Sequence, residues 1–250
     1  MKLFNAKNQN KPQDLAQNVG AQRRFILNKK SNFFIQEAYK TLRTNVRFFL
    51  SGDGCKKFCV TSSDAGEGKS ITILNLAISF AQTDQKVLLI DADLRRPTLA
   101  RLLVENATPG LSNVLAGLCQ EEEAIRKEVY PNLDIMYSGE IPPNPSELLG
   151  SERMRNMMDR LAGGYDYILV DTPPVGIVSD TCIVGNLVDG VLFVVRQNRA
   201  EKEAVAHSVR QLEMSGVKLM GFVMNGAEEN GTKKRKYKYK YSYEFKPRRW

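Results

Sequence analysis

The sequence predicts an α/β domain in which a mostly parallel central sheet is flanked by helices. Short apolar runs typical of buried parallel strands alternate with longer helical patterns along most of the chain. Three of these strand-like runs lead into glycine-bearing or acidic loops, as expected where parallel strands deliver side chains to one sheet edge. With 250 residues and a hydrophobic content of 42%, the chain can bury one core of ordinary size, which favours a single domain.

The loop at residues 61–70 carries the strongest signal. It reads Thr-Ser-Ser-Asp-Ala-Gly-Glu-Gly-Lys-Ser and closes on the Gly-Lys-Ser of a Walker A phosphate-binding loop. Gly66 and Gly68 allow consecutive backbone N–H groups to turn toward one anion, and the following helix adds its unpaired N–H groups and its positive dipole end. Lys69 supplies a point charge for the β- and γ-phosphates, and the Ser70 hydroxyl can ligate Mg²⁺. The residues predicted to bind the nucleotide are Asp64, Ala65, Gly66, Glu67, Gly68, Lys69, Ser70 and Ile71, together with Asn225 near the adenine base.

This loop departs from the usual pattern at one position, because Ser63 stands where the first glycine is expected. An ordinary glycine-rich turn in a βα unit therefore remains an alternative for the loop taken alone. The strand ends further along the chain favour the nucleotide site.

Two of those strand ends carry carboxylates. The apolar run at 86–90 leads into Asp91-Ala92-Asp93, and side chains two residues apart on leaving a strand point the same way, toward the edge where open α/β folds bind ligands. The run at 165–170 ends in Asp171, in the manner of a Walker B element, where a buried carboxylate stays ionised chiefly by facing Mg²⁺ directly or through water. A turn-forming acidic pair is the alternative for Asp91 and Asp93 alone. The repeated arrangement favours a site for ATP and Mg²⁺.

The net charge of +8 is unevenly distributed. Residues 1–30 hold seven Lys and Arg against one Asp, and residues 233–250 hold nine against one Glu, which leaves 20 basic and 26 acidic residues in 31–232. We therefore predict a flexible basic N-terminal segment at 1–30, a folded acidic domain at 31–232 and a basic tail at 233–250, and we consider nucleic-acid binding unlikely as the main function. No signal-peptide core or apolar run of membrane-spanning length occurs, so a cytoplasmic protein is expected.

Outside these motifs, the spacing of apolar residues predicts the remaining elements. A helix capped by Ser31 or Asn32 is expected to carry an apolar face of Ile35, Ala38, Leu42, Val46 and Phe49 and a charged face of Glu37, Lys40, Arg43 and Arg47. Further predicted elements are a short helix at 111–117, strands at 133–137, 191–195 and 219–224, and helices at 179–187 and 200–214. The proline-containing segment 139–147 is expected to be a loop, with Ser146 capping a helix that runs to about residue 162.

The tail has an unusual pattern in which four tyrosines alternate with lysine and serine. These tyrosines are Tyr237, Tyr239, Tyr241 and Tyr243. Basic residues interleaved with aromatic ones suit single-stranded nucleic acid or an anionic membrane. A row of hydroxyls beside a nucleotide site also suits a phosphoryl acceptor: four phosphotyrosines would add about −6 to −8 charges and nearly cancel the positive charge of the tail.

In these motifs the chain resembles the bacterial tyrosine kinases of capsular and exopolysaccharide synthesis, in the form that is separate from its membrane partner. The resemblance covers roughly residues 31–250. It implies ATP- and Mg²⁺-dependent autophosphorylation of the terminal tyrosines between subunits, other protein-tyrosine substrates, and recruitment to the membrane by a transmembrane activator of the polysaccharide co-polymerase type. Carried over by motif, the catalytic residues are Lys69, Asp91, Asp93 and Asp171, with Asp91 activating the tyrosine hydroxyl and with Ser70, Asp93 and Asp171 serving the metal.

Two departures from the family pattern stand out. Glu37-x-x-Lys40-x-x-Arg43 resembles a Glu-x-x-Arg-x-x-Arg motif through which the family assembles into rings, but Lys40 lacks the bidentate geometry of arginine. Ala65 stands where the family usually has proline. The alternative is a chromosome-partitioning or division-site ATPase, a class that carries a lysine at the position of Asp64 and has no tyrosine cluster.

Overall fold

The computed structural model describes residues 22–227, which form an α/β domain around a seven-stranded sheet. The strands are β1 (Lys56–Ser62), β2 (Val87–Asp91), β3 (Ile125–Tyr130), β4 (Leu133–Met136), β5 (Tyr167–Asp171), β6 (Gly190–Arg196) and β7 (Leu219–Asn225). Their order in the sheet is β3-β4-β2-β5-β1-β6-β7. All neighbouring strands pair in parallel except β3, which runs antiparallel to β4 at one edge. The predicted fold class is therefore confirmed.

Helices cover both faces of the sheet. They are α1 (Phe33–Phe49), α2 (Lys69–Ala81), α3 (Leu99–Leu103), α4 (Leu111–Ala116), α5 (Glu121–Ala124), α6 (Pro145–Leu149), α7 (Glu152–Leu161), α8 (Asp180–Gly185) and α9 (Lys202–Met214). Helices α1, α2 and α3 pack on one face, and α4, α6, α7, α8 and α9 pack on the other. Every residue of the central strands β2 and β5 is buried, because successive side chains point alternately into the two cores.

The sequence did not predict the edge strand β3. Four of its six residues are Arg, Lys, Glu and Tyr, and only Ile125 is buried. Charged residues fill the middle of β3, so it lacks the apolar run by which the other strands, including the edge strand β7, were found. Its register against β4 is also irregular between Arg126 and Tyr130.

The prediction that one helix begins at Ser146 is wrong. Two helices, α6 and α7, occupy this region, and the side chain of Ser151 caps the second by accepting a hydrogen bond from the N–H of Met154 at 3.2 Å. Pro145 occupies the first turn of α6, where a missing N–H costs nothing, so the prolines did not exclude a helix there. Ser146 lies inside α6, and its hydroxyl donates instead to Asp180.

Helix α1 begins as predicted, with the Asn32 side chain accepting from the N–H of Phe34 at 2.9 Å. The predicted apolar face is correct only in its second half. Val46 is buried and Phe49 packs against the core, whereas Ile35 and Ala38 stay exposed. The start of α1 therefore buries less apolar surface than the sequence pattern predicts.

The residues ahead of α1 also contribute to the core. Ile26 and Leu27 are buried, and the Asn75 side chain of α2 binds this segment by accepting from the N–H of Leu27 at 2.7 Å and donating to the carbonyl of Phe25 at 2.9 Å. The packed body thus starts before residue 31, inside the segment predicted at 1–30. Among residues 22–227, none of the helices has both the length and the apolar character needed to cross a membrane.

Candidate nucleotide site

The order of the strands brings three predicted elements together. Strands β2, β5 and β1 are neighbours, so the residues that follow their carboxyl ends meet at one sheet edge. Asp91 pairs in register with Asp171, and Val60, just before the loop, pairs with Asp171 from the other side. The glycine loop and both acidic strand ends therefore surround one site at the carboxyl ends of these strands.

Lys69 lies at the centre of this site. Its ammonium Nζ is 2.9 Å from Asp93 Oδ2, 3.5 Å from Asp171 Oδ1 and 3.4 Å from Ser70 Oγ. Burial acts to lower the pKa of Lys69, but the nearby carboxylates of Asp171 and Asp93 outweigh it, so the net shift of the pKa is upward. The ammonium is therefore a permanent cation held beside two acids.

Asp171 is fully buried, and neither of its oxygens accepts a hydrogen bond from the described part of the chain. Burial raises the pKa of this carboxyl, while the charge of Lys69 partly offsets that effect. Apart from its ion pair with Lys69, this buried carboxylate has no partner for its oxygens, which is costly, and a hard cation such as Mg²⁺ would satisfy them. Mg²⁺ keeps few protein ligands and is commonly shared with substrate phosphates, so a carboxylate and a hydroxyl such as those of Asp171 and Ser70 fit an ion that is also bound by phosphate oxygens.

Asp91 is also fully buried, but its carboxylate is occupied. Oδ1 accepts from the N–H of Asp93 at 3.2 Å, and Oδ2 accepts from the N–H groups of Thr98 at 3.2 Å and Leu99 at 3.1 Å. Burial, followed by the charge of Asp171, raises the pKa of Asp91 to about 7. The carboxylate thus holds the loop that carries Asp93, and its role in activating a tyrosine stays a prediction.

The glycine loop is built around Glu67. Its buried Oε1 accepts from Ser63 Oγ at 2.5 Å and from the N–H of Asp64 at 3.0 Å. Ser63, which departs from the usual pattern, therefore supports the loop through its side chain. Gly66 and Gly68 adopt φ angles of 79° and 90°, a left-handed conformation that side chains disfavour. Helix α2 starts at Lys69 and directs its first turn, with Ser70 and Ile71, toward the loop.

Sequence reasoning missed the contacts that hold the outer side of this loop. Arg199 Nη2 donates to the carbonyl of Ala65 at 3.1 Å, and Arg196 Nη1 donates to that of Gly66 at 3.0 Å. Asn225, predicted near the adenine, donates its Nδ2 to the carbonyl of Glu67 at 2.7 Å. The two arginines belong to no motif and gave no signal, since only the fold brings the end of β6 to the loop.

A second missed contact supports the loop after β2. Arg95 binds Asp180 with two hydrogen bonds, from Nε at 2.7 Å and from Nη2 at 3.0 Å, and Ser146 Oγ lies 2.7 Å from the same carboxylate. Asp180 is completely buried at the start of α8. Arg95 lies two residues after Asp93, but nothing in the sequence pointed to Asp180 as its partner.

The residues predicted for self-association lie on α1, away from the nucleotide site. Glu37 and Lys40 form an exposed ion pair at 2.7 Å. Arg43 is partly buried and donates to the carbonyl and, at 3.3 Å, to the hydroxyl of Ser79 on α2. The predicted phosphoacceptors Tyr237, Tyr239, Tyr241 and Tyr243 lie outside the described residues.

A phosphate-binding loop followed by a buried lysine, with two acids at the carboxyl edge of a parallel sheet, defines a P-loop nucleotide-binding protein. Residues 55–213 match the family model described as an AAA domain. Tyrosine-protein kinase YwqD of Bacillus subtilis (strain 168) is 40% identical over 205 residues, which cover 82% of this chain and 86% of YwqD. The solved kinase domain of the Escherichia coli tyrosine kinase ETK is 36% identical with a TM-score of 0.76, covering 80% of this chain and 78% of that domain. The chain belongs to the bacterial tyrosine-protein kinases.

The division-site class shares the fold as well. The septum site-determining protein MinD of Pyrococcus horikoshii OT3, solved with Mg-ADP, is 24% identical with a TM-score of 0.59, over 70% of this chain and 72% of that one. At this identity the likeness shows the fold alone.

Proposed function

We propose that this chain transfers the γ-phosphoryl group of ATP to tyrosine hydroxyls, including those of its own terminal cluster on a neighbouring subunit, and thereby regulates the synthesis and export of a capsular polysaccharide or exopolysaccharide. The observation that carries the proposal is the arrangement around Lys69. One ammonium, one hydroxyl and two carboxylates converge at the glycine loop, and one of those carboxylates, Asp171, is buried with no hydrogen-bond partner in residues 22–227.

The roles follow from charge and position. Bound Mg-ATP would supply the phosphoryl group and an ion that neutralises its charge. Lys69 would stabilise the β- and γ-phosphate oxygens, and Ser70, Asp93 and Asp171, which lie around it, would serve the ion. Asp91 lies next to Asp171 in the sheet and would orient or activate the acceptor hydroxyl. Such a reaction needs positioning and charge stabilisation more than a strong base.

The acceptor and the partners are inferred from the sequence and the family. The tyrosine cluster at 237–243 provides four hydroxyls on a basic tail, and its phosphorylation would remove most of the tail's positive charge. A transmembrane activator of the polysaccharide co-polymerase type would recruit the protein to the membrane and complete the active kinase. A ring of subunits would bring one tail to the next nucleotide site.

The test is a kinase assay with purified wild type and Lys69→Met, incubated with Mg-ATP with and without a cytoplasmic peptide of the activator. We expect wild type to become phosphorylated within 237–243, as mapped by mass spectrometry, and Lys69→Met to lose the modification. Lys57→Met is the matched control, because Lys57 forms an ion pair with Asp159 at 3.4 Å near the start of β1, at the opposite sheet edge. Full phosphorylation of Lys69→Met would contradict the proposal.

Two other outcomes would favour the alternatives. ATP hydrolysis without any phosphotyrosine would indicate a switch ATPase of the partitioning or division-site class. Salt-sensitive binding of DNA or RNA that disappears on deletion of 233–250, again without phosphotyrosine, would indicate a nucleic-acid-binding tail.

A further inference from the structure

Three successive carbonyl oxygens of the phosphate loop accept hydrogen bonds from side chains outside the loop. The donors come from the end of β6, from the residues just after it and from the end of β7. The pairs are Arg199 with Ala65, Arg196 with Gly66 and Asn225 with Glu67, at 3.1, 3.0 and 2.7 Å. Each donor lies more than 100 residues from its acceptor in the sequence.

Holding these oxygens also orients the N–H groups. In a planar trans peptide the C=O and N–H bonds point in opposite directions. The carbonyls of residues 65–67 share their peptide units with the N–H groups of Gly66, Glu67 and Gly68. None of these three N–H groups donates to another residue in the described part of the chain. Drawing the carbonyls outward therefore leaves three adjacent donors facing the other side of the loop.

The side chains lie directly against the glycines. A Cβ added to Gly66 would come within 2.8 Å of Arg199 Nη2, and one added to Gly68 would come within 2.0 Å of Asn225 Nδ2. Both glycines also have positive φ angles. A side chain at either position would therefore displace the donor that lies against the loop, in addition to straining the backbone.

We infer that Arg196, Arg199 and Asn225 are positioning residues that form a carbonyl clamp, which preorganises the loop N–H groups for a polyphosphate. The clamp acts through the backbone, because each of the three side chains donates a hydrogen bond to a loop carbonyl. This inference deepens the proposed function, because it rests on nucleotide binding at the same loop. It also gives Asn225 a role that does not depend on the adenine base.

The test measures binding of Mg-ATP and of inorganic tripolyphosphate, which carries no base, to full-length protein by calorimetry. The variants are Arg196→Met, Arg199→Met and Asn225→Ala, and Arg210→Met on the exposed side of α9 is the control. For each arginine variant we expect affinity for both ligands to fall roughly tenfold, the order expected for one lost charge-assisted hydrogen bond. Arg199→Lys is expected to recover part of the loss, and Arg210→Met is expected to bind like wild type.

Asn225→Ala separates the clamp from a contact with the base. Weaker binding of both ligands supports the clamp, whereas weaker binding of ATP with unchanged binding of tripolyphosphate would mean that Asn225 recognises adenine instead. If Arg196→Met and Arg199→Met bind both ligands as wild type does, the inference fails, whether or not the protein is a kinase. If wild type binds nucleotide but never forms phosphotyrosine, the proposed function fails and the clamp is still tested.

Discussion

Asp91 and Asp171 are paired in register on neighbouring strands, and both are fully buried, yet their surroundings differ. The Asp91 carboxylate accepts three backbone hydrogen bonds, while the Asp171 carboxylate accepts none from residues 22–227 and has Lys69 as an ion-pair partner at 3.5 Å. A buried acceptor without a partner is a cost that the fold retains only when a ligand or a function requires it. At the scale of single residues, we therefore propose that Asp171 is the carboxylate that meets the metal ion.

Replacement of Asp171 by asparagine tests this difference. Because burial raises the pKa of Asp171, its charge does not stabilise the nucleotide-free fold, and Asp171→Asn is expected to unfold at the same temperature as wild type or a higher one. The variant is expected to lose the stabilisation by Mg-ATP and roughly a hundredfold or more in phosphorylation rate. Thermal unfolding with and without Mg-ATP, together with the kinase assay, measures both effects. A large loss of stability without ligand would indicate a structural carboxylate instead.

At the scale of the secondary-structure elements, the first turn of α8 joins the two acidic loops. Asp180 binds Arg95 in the loop that carries Asp93. The hydroxyl of the next residue, Thr181, lies 2.7 Å from the carbonyl of Pro173 and 2.9 Å from the Thr172 hydroxyl, in the loop that follows Asp171. One helical turn thus connects the loop that carries Asp93 with the loop that follows Asp171.

Asp180→Asn is expected to loosen this connection. Because Asp180 touches the loop of Asp93 and not the phosphate loop, we expect the turnover number at saturating Mg-ATP to fall roughly tenfold while the affinity for ATP changes little. Steady-state kinetics separates the two quantities. Asp134→Asn is a matched control, since Asp134 also has a cation and a hydroxyl as partners, Lys127 at 2.9 Å and Tyr165 at 2.6 Å, near the start of β4. Equal loss of turnover in both variants would argue for a general effect on the fold.

At the scale of the whole molecule, the motif on α1 that is predicted for self-association combines two kinds of residue. Glu37 and Lys40 are paired on the surface, and such an exposed pair stabilises the fold little, so it is available to a neighbour. Arg43 instead binds Ser79 on α2 and so contributes to the packing of α1. A substitution at each position is therefore expected to have a different result.

Glu37→Lys is expected to reduce oligomer formation without changing the unfolding temperature. Arg43→Ala is expected to lower the free energy of unfolding by about 1–2 kcal/mol, since it removes hydrogen bonds from a charged donor to α2. Light scattering with size-exclusion chromatography measures the oligomer, and denaturant unfolding measures the stability. Glu203→Lys on α9 makes the same charge change away from α1. Oligomers that survive Glu37→Lys would contradict the assignment of this surface.

The fold class could be predicted from the sequence, because a strand that is buried between two layers of helices is a continuous apolar run. Each such run can be recognised without knowledge of the others. Strands β2 and β5 are examples, and the edge strand β3 is the counterexample, since three successive charged residues interrupt its apolar pattern. The boundary between α6 and α7 was also missed, because Pro145 fits the first turn of a helix as well as it fits a loop.

The sequence by itself determined the parts of the candidate site that are local: the glycine loop, Lys69 and Ser70 after it, and the acids Asp91, Asp93 and Asp171 at strand ends. Because the carboxyl ends of parallel strands meet at one edge of a sheet, the fold class alone predicts that these residues lie together. Only the tertiary structure decided which side chains hold them in place. Arg199 reaches Ala65 across 134 residues and Asp180 reaches Arg95 across 85. Such pairs leave no periodic signal, because their geometry is set by the packing of separate elements and not by the spacing of residues along one of them.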